Sequence, residues 1–149
     1  MGMPSSQLGF AVLMTFAGVG IPIMAALNSG LGMRVGNPWA ATFILFVVGG
    51  VASGALLAIN GLPKAPFGAP PVFYAGGLLV AFYALSVTWA APRIGVGNAV
   101  FFVLLGQIVA ATAIDHFGLF GAVRSAITAQ RAAGIAFMLV GVFLARRVA

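Results

Sequence analysis

The chain is organised by runs of about twenty uncharged, mostly apolar residues, and that spacing constrains it more than any motif does. A helix needs about 20 such residues to cross the hydrocarbon core of a bilayer. Residues 8–27, 39–59, 71–91 and 95–114 meet that length. A fifth run is shorter: its uncharged core, Ala132 to Ala145, reaches about 21 Å as a helix. The fifth span is therefore expected to extend back over residues 125–146, with Arg131 inside it or at its edge, its side chain snorkelling to the interface or, as the alternative, facing a pore. Backbone groups in lipid must be satisfied within the segment, so helices are expected throughout. The predicted fold class is all-α: a polytopic membrane bundle of five transmembrane helices, in a single domain over residues 1–149.

Composition excludes the main alternatives. Only 5% of the residues are charged, against about 25% in soluble domains. The net charge of +6 does not form a nucleic-acid footprint, because the seven basic residues are spread thinly rather than gathered on one face. Arg34, Lys64, Arg93, Arg124, Arg146 and Arg147 fall between apolar runs or at the C-terminus, as loop charges flanking spans do. With no cysteine there is no disulfide, thiolate metal site or cysteine nucleophile. Met1 to Gln7 has no basic stretch, and the apolar run that follows is long, so it reads as a retained span rather than a cleaved signal.

The connections carry turn chemistry: Asn28-Ser-Gly, Gly36-Asn-Pro, Asn60-Gly-Leu-Pro and Ala91-Pro-Arg all punctuate the apolar runs. Pro63, Pro66, Pro70 and Pro71 stiffen the second connection, and Pro22 is expected to kink the first helix. Small residues line several helix faces: Gly18, Pro22, Ala25 and Ser29 on the first span, Gly50 and Gly54 on the second, Gly134 and Gly141 on the fifth. Such faces let helix backbones approach closely in lipid, within one subunit or between two.

Five spans put the termini on opposite sides. Lys64, Arg124 and Arg131 then oppose Arg34, Arg93, Arg146 and Arg147, which is a weak orientation bias. This favours dual insertion and an antiparallel homodimer of ten helices, which reproduces from one short chain the inverted repeat of many transporters.

Depth selects the polar candidates. Gln107 lies near the middle of the fourth span and Tyr83 near the middle of the third, with Ser86 one turn on. An amide or phenol there must find a partner in protein or in a wet cavity, and the phenol ring could hold an organic cation. Asn28 and Asn98 lie at a span exit and a span start, where capping is the plain role and cavity lining the alternative. Tyr74, Trp39 and Trp89 read as interfacial aromatics. Ser53, Thr15 and Thr112 are expected to bond the backbone one turn earlier. Asp115, the single acidic residue, ends the fourth span beside the single histidine, His116. The pair could relay protons or simply fix the turn, and a nearby arginine or backbone amides could offset the unfavourable helix dipole at Asp115. No metal site, cofactor fingerprint, P-loop or nucleophile motif is present, so the reading is not an enzyme and needs no cofactor.

Several segments together resemble the YdcZ-type family of the drug/metabolite transporter superfamily. They are Tyr74-Ala-Gly-Gly-Leu-Leu-Val-Ala-Phe-Tyr83, Ala91-Pro-Arg-Ile-Gly95, Leu105-Gly-Gln107 and Ile114-Asp-His-Phe-Gly118-Leu, with Asn28, Leu31, Gly32 and Pro38 in the first connection. The resemblance covers almost the whole chain. It departs at Met24, where the family often has glutamine. It implies a multi-pass protein of the bacterial inner membrane, with about five helices, paired or fused to give ten. The related small multidrug resistance family uses a mid-membrane glutamate for proton exchange. This chain has no glutamate, so that mechanism does not carry over.

The resulting expectation is a small transporter moving an organic solute, amphipathic or cationic, by alternating access as an inverted homodimer in the lipid bilayer. Gln107, Tyr83, Asn28 and Asn98 are the expected substrate-binding residues, with Asp115 and His116 at the rim. The alternatives are a dual-topology small-ion channel and a non-transporting partner subunit of a heterodimeric transporter.

Overall fold

A computed structural model describes residues 5–63 and 68–145. Met1 to Pro4, Lys64, Pro66, Arg146 and Arg147, weighed above, lie outside them. The described residues are all-helical, in five α-helices. They are α1 (Ser5–Arg34), α2 (Pro38–Asn60), α3 (Gly76–Ile94), α4 (Val96–Phe117) and α5 (Ala129–Ala145), with short 3-10 turns at Pro71–Ala75 and Leu119–Gly121. Four segments are long and apolar enough to cross a membrane: Gln7–Arg34, Pro38–Asn60, Pro71–Ile94 and Val96–Phe117. The described part of α5 is shorter, 17 residues, below the roughly 20 that span a bilayer core without local thinning.

The chain divides into two compact units, Met1–Val96 and Gly97–Ala149. In the first, α1, α2 and α3 all pack on one another. Their contact surface is built of small residues: Ala25, Ser29 and Gly32 on α1, Ala41 and Thr42 on α2, and Ala84, Thr88 and Ala91 on α3 are all buried. On α1 and α3 these positions recur three or four residues apart, which aligns them on one face. Small side chains let helices approach closely where there is no water to drive them together. The bulky residues point the other way. Phe10, Phe16, Leu27, Phe43, Ile59, Leu78 and Phe82 are each more than half exposed, as lipid-facing side chains would be.

The α1–α2 connection is specified locally. Gly36 takes the left-handed conformation (φ +67°), and Asn37 N–H returns to the Gly32 carbonyl at 3.1 Å, a Schellman closure of α1. Asn37 then caps α2: its side-chain oxygen accepts from the amides of Trp39 (2.9 Å) and Ala40 (3.1 Å), and Pro38 occupies the first helical position.

Three expectations about boundaries change. Asn28 is not a cap, because α1 continues through Arg34 and buries Asn28 inside it. Ala91-Pro-Arg does not end α3, which runs through Pro92 to Ile94. A proline this near a C-terminus removes few helical bonds, and Gly95 (φ +86°) makes the actual stop, its N–H on the Ala91 carbonyl at 2.9 Å. Helix α5 begins at Ala129 rather than near residue 125, because the Thr128 hydroxyl accepts from the Arg131 amide at 3.2 Å and caps it there.

Candidate functional site

In the first unit the packed face of α1 carries an amide into a pair of hydroxyls. Asn28 Nδ2 donates to Thr88 Oγ1 at 2.5 Å, and Thr88 Oγ1 donates to the Ala84 carbonyl one turn earlier at 2.7 Å. Thr42 Oγ1 lies 3.5 Å from Thr88 Oγ1 and donates to the Pro38 carbonyl at 2.9 Å. One polar group from each of three helices thus meets at the point where the small residues cross. Gly32 completes the junction. A Cβ there would lie 3.3 Å from Thr88 Cγ2 and 3.4 Å from Pro38 Cα.

Two hydroxyls in this unit are buried with no hydrogen-bond partner among the described residues, Ser29 Oγ and Tyr83 Oη. Ser29 follows Asn28 directly. Tyr83 lies five positions before Thr88 on α3 and is half-buried. Beside Asn28 opens a cleft of about 260 Å³ lined by Met24, Leu27, Asn28, Leu31, Ile44 and Val48. Met24, the position that departs from the family pattern, therefore faces the same cleft as Asn28 and gives it a thioether wall.

Of the four residues expected to bind substrate, Asn28 and Tyr83 lie in the first unit, and Asn98 and Gln107 lie on α4 of the second. Asn98 is half-buried near the start of α4, whereas Gln107 is exposed and has no hydrogen bond among the described residues. Thr42 and Thr88 were not singled out from sequence, yet they are the partners of Asn28. The available signal was a hydroxyl on an otherwise apolar run. The other hydroxyls behave as expected: Thr15 bonds the Ala11 carbonyl, Thr112 that of Ile108, and Ser53 that of Gly50.

The second unit is organised around the end of α4. Arg131 Nη2 donates to Asp115 Oδ2 at 2.6 Å, with both side chains about one-third exposed. The arginine reaches back across the loop. Its Nη1 also donates to Ser125 Oγ at 3.0 Å. The loop itself is tied to the last turn of α4: Ser125 N–H to the Asp115 carbonyl at 2.8 Å, and Arg124 Nε to the His116 carbonyl at 3.3 Å. His116 Nδ1 accepts from the Ile127 amide at 3.2 Å, which assigns the neutral ring its proton on Nε2. Gly118 (φ +64°) and Gly121 (φ +83°) turn the chain between these ties. A cleft of about 530 Å³ borders this junction, lined by Val109, Thr112, His116, Phe117, Ile127 and Ile135. Asp115 and His116 are thus brought together with Arg131, each bonded into the loop.

Among the described residues no cluster of three or more acidic or histidine side chains could hold a metal. What the arrangement provides is apolar clefts bordered by isolated amide, hydroxyl and imidazole groups, which suits non-covalent binding of a small solute.

A family model described as "Putative inner membrane exporter, YdcZ" matches residues 9–144. No curated protein and no solved structure matches the chain.

Proposed function

We propose a mechanism for a chain that belongs to the YdcZ family and is accordingly a multi-pass membrane transporter of the inner membrane: it moves a small organic solute by alternating access, as an inverted homodimer. Both units then act as one transmembrane domain, and ten helices from two copies frame the pathway.

The observation that carries this reading is Gln107. Its amide sits near the middle of α4, exposed and with no hydrogen bond among the described residues. Hydrocarbon offers an amide nothing, so it needs a polar partner from a solute, a wet cavity or a second copy. The buried, unpartnered Tyr83 Oη makes the same demand. Asn28 and Asn98 complete the set of lining residues, and the bonded Asp115–His116 turn holds the rim. Gly50 and Gly54 support the pairing. A Cβ at either would meet nothing within 4 Å, so this small-residue face of α2 is left for a neighbour. The weak bias of the basic residues supports insertion in both directions.

Topology tests the inverted dimer. Cysteines placed singly at Met3 and Ala149 are labelled from outside the cell, and each is expected to label on about half the molecules. Labelling of one terminus alone defeats the antiparallel arrangement. Purified protein in proteoliposomes tests the transport step. Saturable, coupled flux is expected, and non-saturating conduction would instead describe an ion channel. Absence of solute binding together with constant copurification of a paralogue would describe a partner subunit.

A further inference from the structure

We infer that the end of the first unit where α1 and α3 terminate is a binding site for an anionic phospholipid, with its phosphate at Arg93 and an acyl chain along α3. Two clefts meet there and share Trp89 and Pro38 as walls. One, of about 360 Å³, is lined by Gly32, Met33, Pro38, Thr88, Trp89 and Arg93. The other, also about 360 Å³, is lined by Pro38, Trp39, Phe82, Leu85, Ser86 and Trp89. Each is at the lower end of the roughly 300–1,000 Å³ that small-molecule sites occupy.

The two halves differ in the chemistry they accept. The first holds a cation fixed in place: the Arg93 guanidinium lies 4.1 Å over the Trp89 ring and donates from Nη1 to the Trp89 carbonyl. That bond uses one of five N–H groups, and the remainder can present a fork to phosphate oxygens. The second half is an apolar groove. Phe82 precedes Trp89 by two helical turns, about 10 Å deeper along α3. A basic head and an apolar groove joined at an indole match the two ends of a phospholipid, and indoles sit at the headgroup level of a bilayer.

The sign of the ligand follows from the whole chain. There is one acidic residue for seven basic ones, and that residue, Asp115, is bonded to Arg131. No acidic side chain of the sequence is left for Arg93 or for Arg34, which also ends its helix on this side of the unit. No side chain of this sequence supplies their counter-ion. At a membrane surface the abundant anion is the lipid phosphate, and basic pockets between helices recognise such headgroups. The site does not depend on the transport reading, and it is read without a flux assay.

The test uses the full chain in mixed micelles. The sequence has two tryptophans, so Trp39→Phe leaves Trp89 as the single reporter. Its quenching is titrated with acyl-brominated phosphatidylglycerol and with acyl-brominated phosphatidylcholine. The anionic lipid is expected to half-quench at about fivefold lower mole fraction, the contribution of one arginine near a charged surface. Arg93→Gln is expected to abolish that preference, and Arg93→Lys to retain most of it. Equal quenching by the two lipids overturns the proposal, and so does a preference that survives Arg93→Gln. Displacement of the brominated anionic lipid by millimolar inorganic phosphate would assign the cleft to a soluble phosphate and overturn the lipid assignment. If Arg93→Gln does not fold, the comparison of lipids on the parent protein and on Arg93→Lys still decides.

Discussion

Asp115 and Arg131 form a 2.6 Å ion pair in which each residue sits at the helix end its dipole disfavours. Asp115 lies in the last turn of α4 and Arg131 in the first turn of α5. A carboxylate opposes the partial negative charge of a C-terminus, and a guanidinium opposes the partial positive charge of an N-terminus. The pair and the loop bonds around it outweigh that cost.

Exchanging the two charges therefore separates their roles. Asp115→Arg combined with Arg131→Asp keeps an ion pair and places both charges at favourable ends. It is expected to match or exceed the parent in thermal unfolding, by about 0.3–1 kcal/mol per charge. Asp115→Asn alone is expected to lose about 1 kcal/mol or less, because the pair is partly exposed. If the pair only fixes the rim, solute flux through the exchanged protein stays within about twofold of the parent. A collapse of flux at full stability would instead make the carboxylate on α4 a participant in transport.

His116 anchors the same loop through Nδ1, which accepts from the Ile127 amide. His116→Asn keeps an acceptor near that position and is expected to unfold within about 0.5 kcal/mol of the parent. His116→Phe leaves the Ile127 amide without its acceptor and is expected to cost about 1 kcal/mol. Equal stability of the two variants would show that the contact contributes nothing.

The Asn28–Thr88 bond is the polar joint of the first unit. Thr88→Val keeps the shape but strips Asn28 of its acceptor. Unfolding in detergent is expected to become easier by about 1 kcal/mol, near the upper range of interhelical bonds in membranes. Thr88→Ser should behave as the parent.

Glycines that look alike in sequence should respond differently. Gly32→Val meets Thr88 and Pro38 and is expected to cost about 1–3 kcal/mol in unfolding. A Cβ at Gly50 or Gly54 would meet nothing within 4 Å among the described residues, so Gly50→Val and Gly54→Val differ from Gly32→Val. They should leave monomer unfolding unchanged and, if that face of α2 is the dimer contact, weaken association seen in crosslinking.

Tyr83→Phe removes an oxygen with no partner among the described residues, so stability should change by less than about 0.5 kcal/mol. Flux is expected to fall, as it should for Gln107→Leu. Unchanged flux in both variants removes these residues from the pathway.

The spans were legible in the sequence because crossing a membrane is a local demand: length and apolarity suffice. The α1–α2 connection was legible for the same reason, since Gly36-Asn-Pro carries its own turn and cap chemistry. The pairing of helices was not. Apolar residues surround each span, so no amphipathic stripe announces which face is buried. Small residues mark candidate faces, but Gly32, packed tightly, and Gly50, facing nothing, are the same letter.

Sequence alone therefore determined that this protein is a stack of membrane-crossing helices with one carboxylate, and that its polar residues at depth need partners. Only the tertiary structure decided what those partners are. Asn28 meets Thr88 because α1 and α3 cross at that height and rotation, and Asp115 meets Arg131 because the loop between α4 and α5 folds back on itself. A hydrogen bond needs its atoms within about 3 Å, and which residues of different helices come that close is a property of packing, not of either helix.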